Sequence, residues 1–166
     1  MYIFSERHKI VNVIIPVADA WNANPVVSDI VHLENYRKCT FLIVTGATSA
    51  VTPQVTVFAG VSNAVCATPI VFKYRTQAAV AVPGVGSDVP SVLTDAAVAG
   101  FAMIASIVGS LYIVEVDAAV VAAAGANFDH CALNIDENAD TAQTGCVIAI
   151  LSEPRYPQDV LVTAID

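Results

Sequence analysis

Apolar and polar residues alternate with the two-residue period of β-strands in short segments along the whole chain. Around Phe72 and Tyr74, for example, the intervening Lys73 points to the opposite face. β-Branched residues, which suit half-buried pleated surfaces, dominate these segments. The pattern predicts a set of about eight strands, over residues 9–17, 29–33, 40–45, 55–59, 70–75, 112–117, 131–136 and 145–151.

One short helix interrupts the predicted strands. Asp117 can cap the amino end of residues 118–124, and Gly125 can adopt the left-handed conformation with which many helices end. Two of the strand segments, 40–45 and 145–151, are apolar almost throughout. Such runs are typical of strands that other elements cover on both faces, so we expect both segments to be buried on both sides.

Short strands separated by turn-forming residues predict an all-β fold. The sequence therefore favours a two-sheet β-sandwich of jelly-roll type, with one short helix near residues 118–124. We expect a single β-sandwich domain over residues 1–166, in which residues 1–9 are a candidate extended amino-terminal arm.

The composition changes this picture in one respect, because the chain is unusually apolar. Hydrophobic residues make up 56% of the sequence and charged residues only 13%. A small monomer rarely exposes large contiguous apolar patches, so we expect the surplus apolar residues to face other chains in a homo-oligomer. The net charge of −8, with only seven Lys and Arg residues, argues against the phosphate-neutralising patch that nucleic-acid binding requires.

Two segments raise the question of a membrane or a signal peptide. Residues 96–114 carry no charge and are long enough to span a bilayer, but they are rich in Ala, Gly and Ser. Residues 10–18 could form the apolar part of a signal peptide, although Pro16 interrupts them and Asp19 lies in the cleavage motif that would follow. Strands explain both segments better, so we expect no membrane partner.

The sequence contains few residues arranged for catalysis. Its three histidines are His8, His32 and His130, and no nucleophile motif accompanies any of them. By strand alternation, His130 falls on the outward face and is expected to be solvated or to lie at an interface. We therefore expect no enzymatic activity, no catalytic residue and no cofactor.

Candidate metal ligands and disulfides are equally sparse. Residues Asp136–Asp140 place oxygen ligands at alternate positions but lack the Gly and Glu of a calcium-binding loop. A solvated loop is favoured and no metal site is predicted, although a weak cation site there stays open. The four cysteines have no Cys-x-x-Cys spacing, so free thiols are the default and a disulfide is the alternative. They are Cys39, Cys66, Cys131 and Cys146.

Several segments, taken in order, resemble a group of small head-associated structural proteins of tailed bacteriophages. They are SERHKIVN (5–12), PVADA (16–20), LENY (33–36), PIVFKYR (69–75), YIVEVDA (112–118) and AILSEPRY (149–156). The resemblance implies a decoration, or cement, protein that is made in the host cytoplasm and binds the capsid exterior. It implies the major capsid protein as a partner and a homo-oligomer, with a trimer favoured.

The two ends of the chain supply the candidate interface with the capsid or with other copies. Both combine charge with aromatic or proline residues at the end of an apolar strand, and Arg and Tyr are enriched at interface centres. An alternative is that the carboxyl-terminal residues only tie the last strand to its neighbour. The candidate residues are Ser5, Glu6, Arg7, Lys9, Glu153, Arg155 and Tyr156.

A second function remains open from the sequence. Jelly rolls often carry sugar sites, so the chain could be a carbohydrate- or receptor-binding module on the virion surface. Such sites usually need an exposed aromatic ring on which a sugar can stack. Trp21, in a predicted loop, is the candidate platform.

Overall fold

The computed structural model describes residues 3–21, 25–46, 52–77, 89–104, 109–137, 142–156 and 161–165. These residues form a predominantly β structure. Its strands are β1 (Lys9–Val17), β2 (Val26–Val27), β3 (Val31–His32), β4 (Tyr36–Thr45), β5 (Gln54–Ser62), β6 (Val65–Ile70), β7 (Phe72–Gln77), β8 (Thr94–Ala96), β9 (Phe101–Ala102), β10 (Leu111–Asp117), β11 (His130–Asp136) and β12 (Gly145–Pro154). The helix α1 (Ala118–Ala124) follows β10 directly, and a 3-10 turn over Phe4–Glu6 precedes β1.

The strands pair into two antiparallel sheets. The first sheet has the order β1-β12-β4-β10-β7-β8 and the second the order β2-β11-β5-β6, with β3 paired to β11 and β9 to β5. If β3, β7, β8 and β9 are left out, eight strands remain, and they can be numbered 1 to 8 in chain order. The first sheet then has the order 1-8-3-6 (β1-β12-β4-β10) and the second sheet the order 2-7-4-5 (β2-β11-β5-β6). This is the strand order of a jelly roll. The predicted two-sheet sandwich of jelly-roll type is confirmed.

The core lies between the sheets and consists of the inward-facing residues of both. Alternate side chains of β4, β10 and β12 meet those of β5 and β11, as the two-residue period predicts. Each large apolar side chain buried here contributes about 1.5–3 kcal/mol relative to its exposed state. The first sheet contributes Phe41, Ile43, Tyr112, Val114, Val147 and Leu151, and the second contributes Val55, Val57, Leu133 and Ile135.

The strand predicted over residues 70–75 is two strands in different sheets. Ile70 ends β6 in the second sheet and Phe72 begins β7 in the first, so the chain crosses between the sheets at Val71. The predicted alternation survives the crossing, because Ile70 and Phe72 are buried and Lys73 is exposed. Periodicity alone does not distinguish one strand from two that meet at such a crossing.

The predicted helix is confirmed, but its predicted ending is wrong. The Asp117 side chain accepts a hydrogen bond from the Ala119 amide at 2.8 Å, as an amino-terminal cap should. Gly125, however, has extended backbone angles rather than left-handed ones. The glycine is needed for space instead, because a Cβ there would lie 2.7 Å from the Phe128 ring. Asn127 takes the positive φ in this connection.

The amino-terminal part of the chain leads into the first sheet. Within the predicted arm, Phe4–Glu6 form the 3-10 turn, and the Arg7 amide donates to the Phe4 carbonyl. β1 begins at Lys9 and covers the segment for which a strand was predicted. The described part of residues 96–114 likewise contains β9 and the first residues of β10. None of the described helices has the length and hydropathy of a membrane span.

Candidate functional site

The two predicted terminal segments lie side by side at one end of the first sheet. Lys9 of β1 pairs with Leu151 of β12, which brings the residues before β1 next to the end of β12. Arg7 and His8 line a shallow depression of about 250 Å³ together with residues 152–154. Ser5 and Glu6 are exposed on the adjoining 3-10 turn. The fold therefore brings together residues that are far apart in the sequence.

Glu153 does have the structural role that the sequence left open as an alternative. Its Oε1 lies 3.0 Å from the Nζ of Lys38 in the neighbouring β4. By accepting this hydrogen bond and by its charge, the Glu153 carboxylate raises the pKa of Lys38 above its ordinary value. Arg155 contacts the residue that precedes β4 through its backbone, whose N–H donates to the Asn35 carbonyl at 2.9 Å. The side chains of Arg155 and Tyr156 are exposed, Tyr156 to 64%.

The outward side of the first sheet is apolar over four adjacent strands. Leu42 of β4 lies between Ile113 of β10 and Ile148 of β12 in the ladder, and Val44 is flanked in the same way. These side chains are half-buried or exposed, Val44 to 41%. We call this surface the outer face and define it by Ile10, Leu42, Val44, Leu111, Ile113, Cys146, Ile148 and Ile150.

The outer face corrects the prediction that segments 40–45 and 145–151 are buried on both sides. Their inward residues are buried in the core, but their outward residues retain exposure to solvent. The apolar runs in the sequence therefore reflect a strand with one face in the core and another face that is apolar but open. A binding surface and a second buried face produce the same apolar run.

From Glu115 of β10 across β7 and β8, the same side of the sheet is charged. Glu115 of β10 is paired with Lys73 of β7, and Lys73 forms an ion pair with Asp95 of β8. Next to them is a groove of about 740 Å³ with an apolar wall that includes Phe72 and Val116. The groove has both acidic and basic side chains on its rim, so it does not select for either sign of charge.

Trp21 is buried, which corrects the expectation of an exposed platform for sugars. Its side chain has 0% exposure and belongs to the core. The adjacent Ala20 amide donates to the Gln143 carbonyl at 2.7 Å and holds this part of the chain against the start of β12. A ring without an exposed face cannot stack on a glycan.

A histidine cluster at the edge of β11 was not predicted. His130 is buried, not outward and solvated, because β11 is covered on both of its faces. It pairs directly with His32 of β3, and the Asp129 carboxylate contacts one nitrogen of each imidazole. The Asp129-His130 dipeptide is visible in the sequence, but the pairing with His32 depends on the register of two distant segments.

The cysteines are all free, as expected by default. Cys66 donates to the Phe58 carbonyl at 3.2 Å, and burial together with the neighbouring Cys131 raises its pKa to about 12. The thiols of Cys39 and Cys131 meet across the core, and this hydrogen bond, together with burial, raises the pKa of Cys131 well above its usual value.

The open question of a cation site at residues 136–140 falls partly outside the described residues. Asp136 ends β11 and Glu137 follows it in a buried position. Residues 138–140, which would have to supply the remaining oxygen ligands, are among those that the structure does not describe. A weak cation site in this loop therefore stays a hypothesis that rests on the sequence.

Comparison with known proteins gives little further guidance. No protein-family model and no curated protein sequence matches the chain. A chain in a structure of infectious bursal disease virus, Gx strain, is similar at 14% identity and a TM-score of 0.28, over 92% of this chain and 34% of that chain. A chain of the Gt strain is similar at 9% identity and a TM-score of 0.23, over 98% and 45%. This chain thus spans less than half the length of either viral chain, and TM-scores this low carry no conclusion about fold or function.

Proposed function

We propose that this protein is a structural component of a phage virion, which binds the outside of the capsid as a homo-oligomer and stabilises the shell. The observation that carries the proposal is the apolar outer face of the first sheet. The jelly-roll strand order and the resemblance to phage head-associated proteins support it. The proposal assigns no catalytic role, and it includes neither a membrane nor a nucleic acid as partner.

The outer face is suited to contact between copies of the chain. Homo-oligomer interfaces are more apolar than the rest of a protein surface, and charged residues are depleted at their centres. The outer face has these properties: its eight residues are uncharged, and they are contiguous over β1, β12, β4 and β10. The resemblance favours three copies in the oligomer.

The terminal end of the first sheet is suited to contact with the major capsid protein. Apart from Ser5, the proposed contact residues are charged or aromatic, and the Arg and Tyr residues among them are of types enriched at interfaces. A trimer would present three such ends to the shell at once, so that the effective concentration multiplies a modest affinity. Binding only to the assembled shell would stabilise that shell by mass action. The proposed contact residues are Ser5, Glu6, Arg7, Lys9, Glu153, Arg155 and Tyr156.

The experiment is co-sedimentation of the purified protein with phage heads that lack it, together with light scattering on the free protein. We expect a defined oligomer that binds the heads to saturation at a fixed copy number. Ile148→Lys, in the middle of the outer face, should yield a folded monomer that no longer sediments with the heads. Val65→Lys, at an exposed apolar position of the second sheet, is the matched control and should change neither property.

Arg155→Ala tests the terminal end separately. We expect this variant to keep the oligomer and its melting temperature but to lose head binding. If Ile148→Lys remains oligomeric, the outer face is not the interface between copies. If the wild-type oligomer ignores the heads but binds immobilised glycans, the protein is instead a carbohydrate-binding module of the virion surface.

A further inference from the structure

The histidine cluster has the geometry of a metal site. His32 and His130 lie opposite each other in the β3–β11 ladder, and their rings stack in parallel with centroids 4.2 Å apart and an interplanar angle of 8°. A ring nitrogen of one imidazole lies within 4.8 Å of a ring nitrogen of the other. Two imidazoles are therefore presented side by side, by a pair of hydrogen-bonded strands.

The Asp129 carboxylate contacts the imidazole rings of both His32 and His130. Asp129 Oδ2 lies 3.2 Å from His32 Nε2, and Asp129 Oδ1 lies 2.5 Å from His130 Nδ1. One potential ligand atom from each of the three residues lies within 4.8 Å of the others. Bonds of about 2.0–2.2 Å from Zn²⁺ to nitrogen and oxygen require donor atoms somewhat over 3 Å apart, so side-chain rotations can close the site around an ion.

A fourth ligand and a route of entry are also present. Glu34 Oε2 lies 3.7 Å from His32 Nε2, and its side chain is mostly exposed and can turn toward the site. The side chains of His32 and Asp129 are 21% and 40% exposed, so the cluster opens to solvent on one side. Glu34 or a water molecule can complete a tetrahedral set of ligands.

The backbone around the cluster is held in place by hydrogen bonds from three directions. The Leu33 amide donates to the Asp129 carbonyl at 2.7 Å, and the Asp129 amide donates to the Gly60 carbonyl at 3.2 Å. The His32 amide donates to the Ala164 carbonyl at 2.9 Å. Ligands on a backbone fixed in this way lose little conformational entropy when an ion binds.

We propose that His32, Asp129 and His130 bind a zinc-type divalent transition-metal ion, with Glu34 or water as the fourth ligand. Two imidazoles and a carboxylate suit Zn²⁺ better than Ca²⁺ or Mg²⁺, which prefer oxygen ligands alone. The ion would fasten β3 to β11 beside the point at which the His32 amide donates to the Ala164 carbonyl. This proposal does not depend on the proposed virion function.

The test is a titration of the untagged protein with ZnCl2 after treatment with a chelator and desalting. We expect one Zn²⁺ per chain by calorimetry and by elemental analysis, together with a rise in melting temperature. His32→Gln and Asp129→Asn, whose side chains are partly exposed, should abolish both effects while the far-ultraviolet circular dichroism is unchanged. His8→Gln is the matched control, because His8 lies at the start of the first sheet and should not affect binding.

Cobalt distinguishes this site from binding by the thiols. We expect Co²⁺ to bind without the intense near-ultraviolet charge-transfer band that cysteine ligands produce. The proposal is overturned if the folded wild-type protein binds no zinc, since the cluster would then be only a hydrogen-bonded support. It is also overturned if His32→Gln retains full stoichiometry, or if a thiolate band appears.

Discussion

The indole ring of Trp21 packs directly against Gly145, the first residue of β12. A Cβ atom at position 145 would lie 2.5 Å from Cζ2 of the ring, a distance shorter than the contacts that Cβ atoms make in proteins. The glycine therefore provides the space in which the ring is buried, and the ring closes the core over the start of the last strand. This contact joins the connection after β1 to β12, two parts of the chain that are far apart in the sequence.

Gly145→Ala is expected to lower the free energy of unfolding by about 1–3 kcal/mol, because an added methyl group in a packed core displaces its neighbours. Urea denaturation followed by far-ultraviolet circular dichroism measures the stability in every variant, including those that lack Trp21, the single tryptophan of the chain. In a Trp21→Phe background the same substitution should cost less, since the smaller ring lacks the atom that clashes. Equal costs in the two backgrounds would contradict the proposed contact.

Gly60 is expected to tolerate no side chain. A Cβ at this position would lie 1.8 Å from the Val65 carbonyl oxygen, at the bulge where β5 and β6 change register. Gly60→Ala must therefore shift the backbone of the hairpin, and we expect it to cost about 3 kcal/mol or to prevent folding.

The matched control is Gly109→Ala, where φ is +74° but no atom lies within 4 Å of the added Cβ. The control should lose only about 1–2 kcal/mol, the cost of a left-handed conformation. Similar losses of stability in the Gly60→Ala and Gly109→Ala variants would show that the close approach to the Val65 carbonyl does not cause the effect at Gly60.

Asp117 is expected to stabilise the start of α1 by its capping hydrogen bond to Ala119. Asp117→Ala should cost about 1 kcal/mol in thermal or urea unfolding, the usual effect of removing such a cap. Asp117→Ser should recover most of this loss, because its hydroxyl can accept the same hydrogen bond. If the serine variant is as unstable as the alanine variant, the stabilisation comes from the charge of Asp117 and not from capping.

Cys66 is expected to make the protein less stable at high pH. In the unfolded chain its thiol ionises near the ordinary pKa of 9.0, whereas the folded protein retains the proton up to about 12. Since the folded state then binds more protons, its stability is complete below pH 9 and declines as the pH rises toward 12. Urea unfolding at a series of pH values should show this decline in the wild type relative to Cys66→Ser. Parallel profiles for the two proteins would rule out the raised pKa.

Local patterns account for what could be predicted about the fold. The two-residue alternation and the β-branched residues predicted β1 with its observed bounds and placed β10 and β11 to within a residue. The apolar stretch after Asp117 predicted α1. These features depend on neighbouring residues in the chain, so they can be predicted without knowledge of the tertiary structure. The two-residue strands β2 and β9 are too short to carry such a pattern, and they were not predicted.

The candidate site could be predicted only in part. The terminal segments were singled out by their charged and aromatic residues, but their meeting beside the Lys9–Leu151 pair depends on strand order. The outer face was predicted to be a second buried surface, because an apolar run shows that both faces of a strand are apolar. The run does not show whether the second face is covered by the same chain or left open.

Residue type and local spacing were enough to predict most of the longer strands, the helix, the acidic charge and the excess of apolar residues. The burial of Trp21, the open outer face and the contact of His32 with Asp129 across 97 positions of the chain depend on how distant segments pack together. Strand register places these residues, and it is strongly specified only once one face of each strand is buried between the two sheets. A local pattern shows that the faces of a strand differ, and only the assembled fold determines what each face contacts.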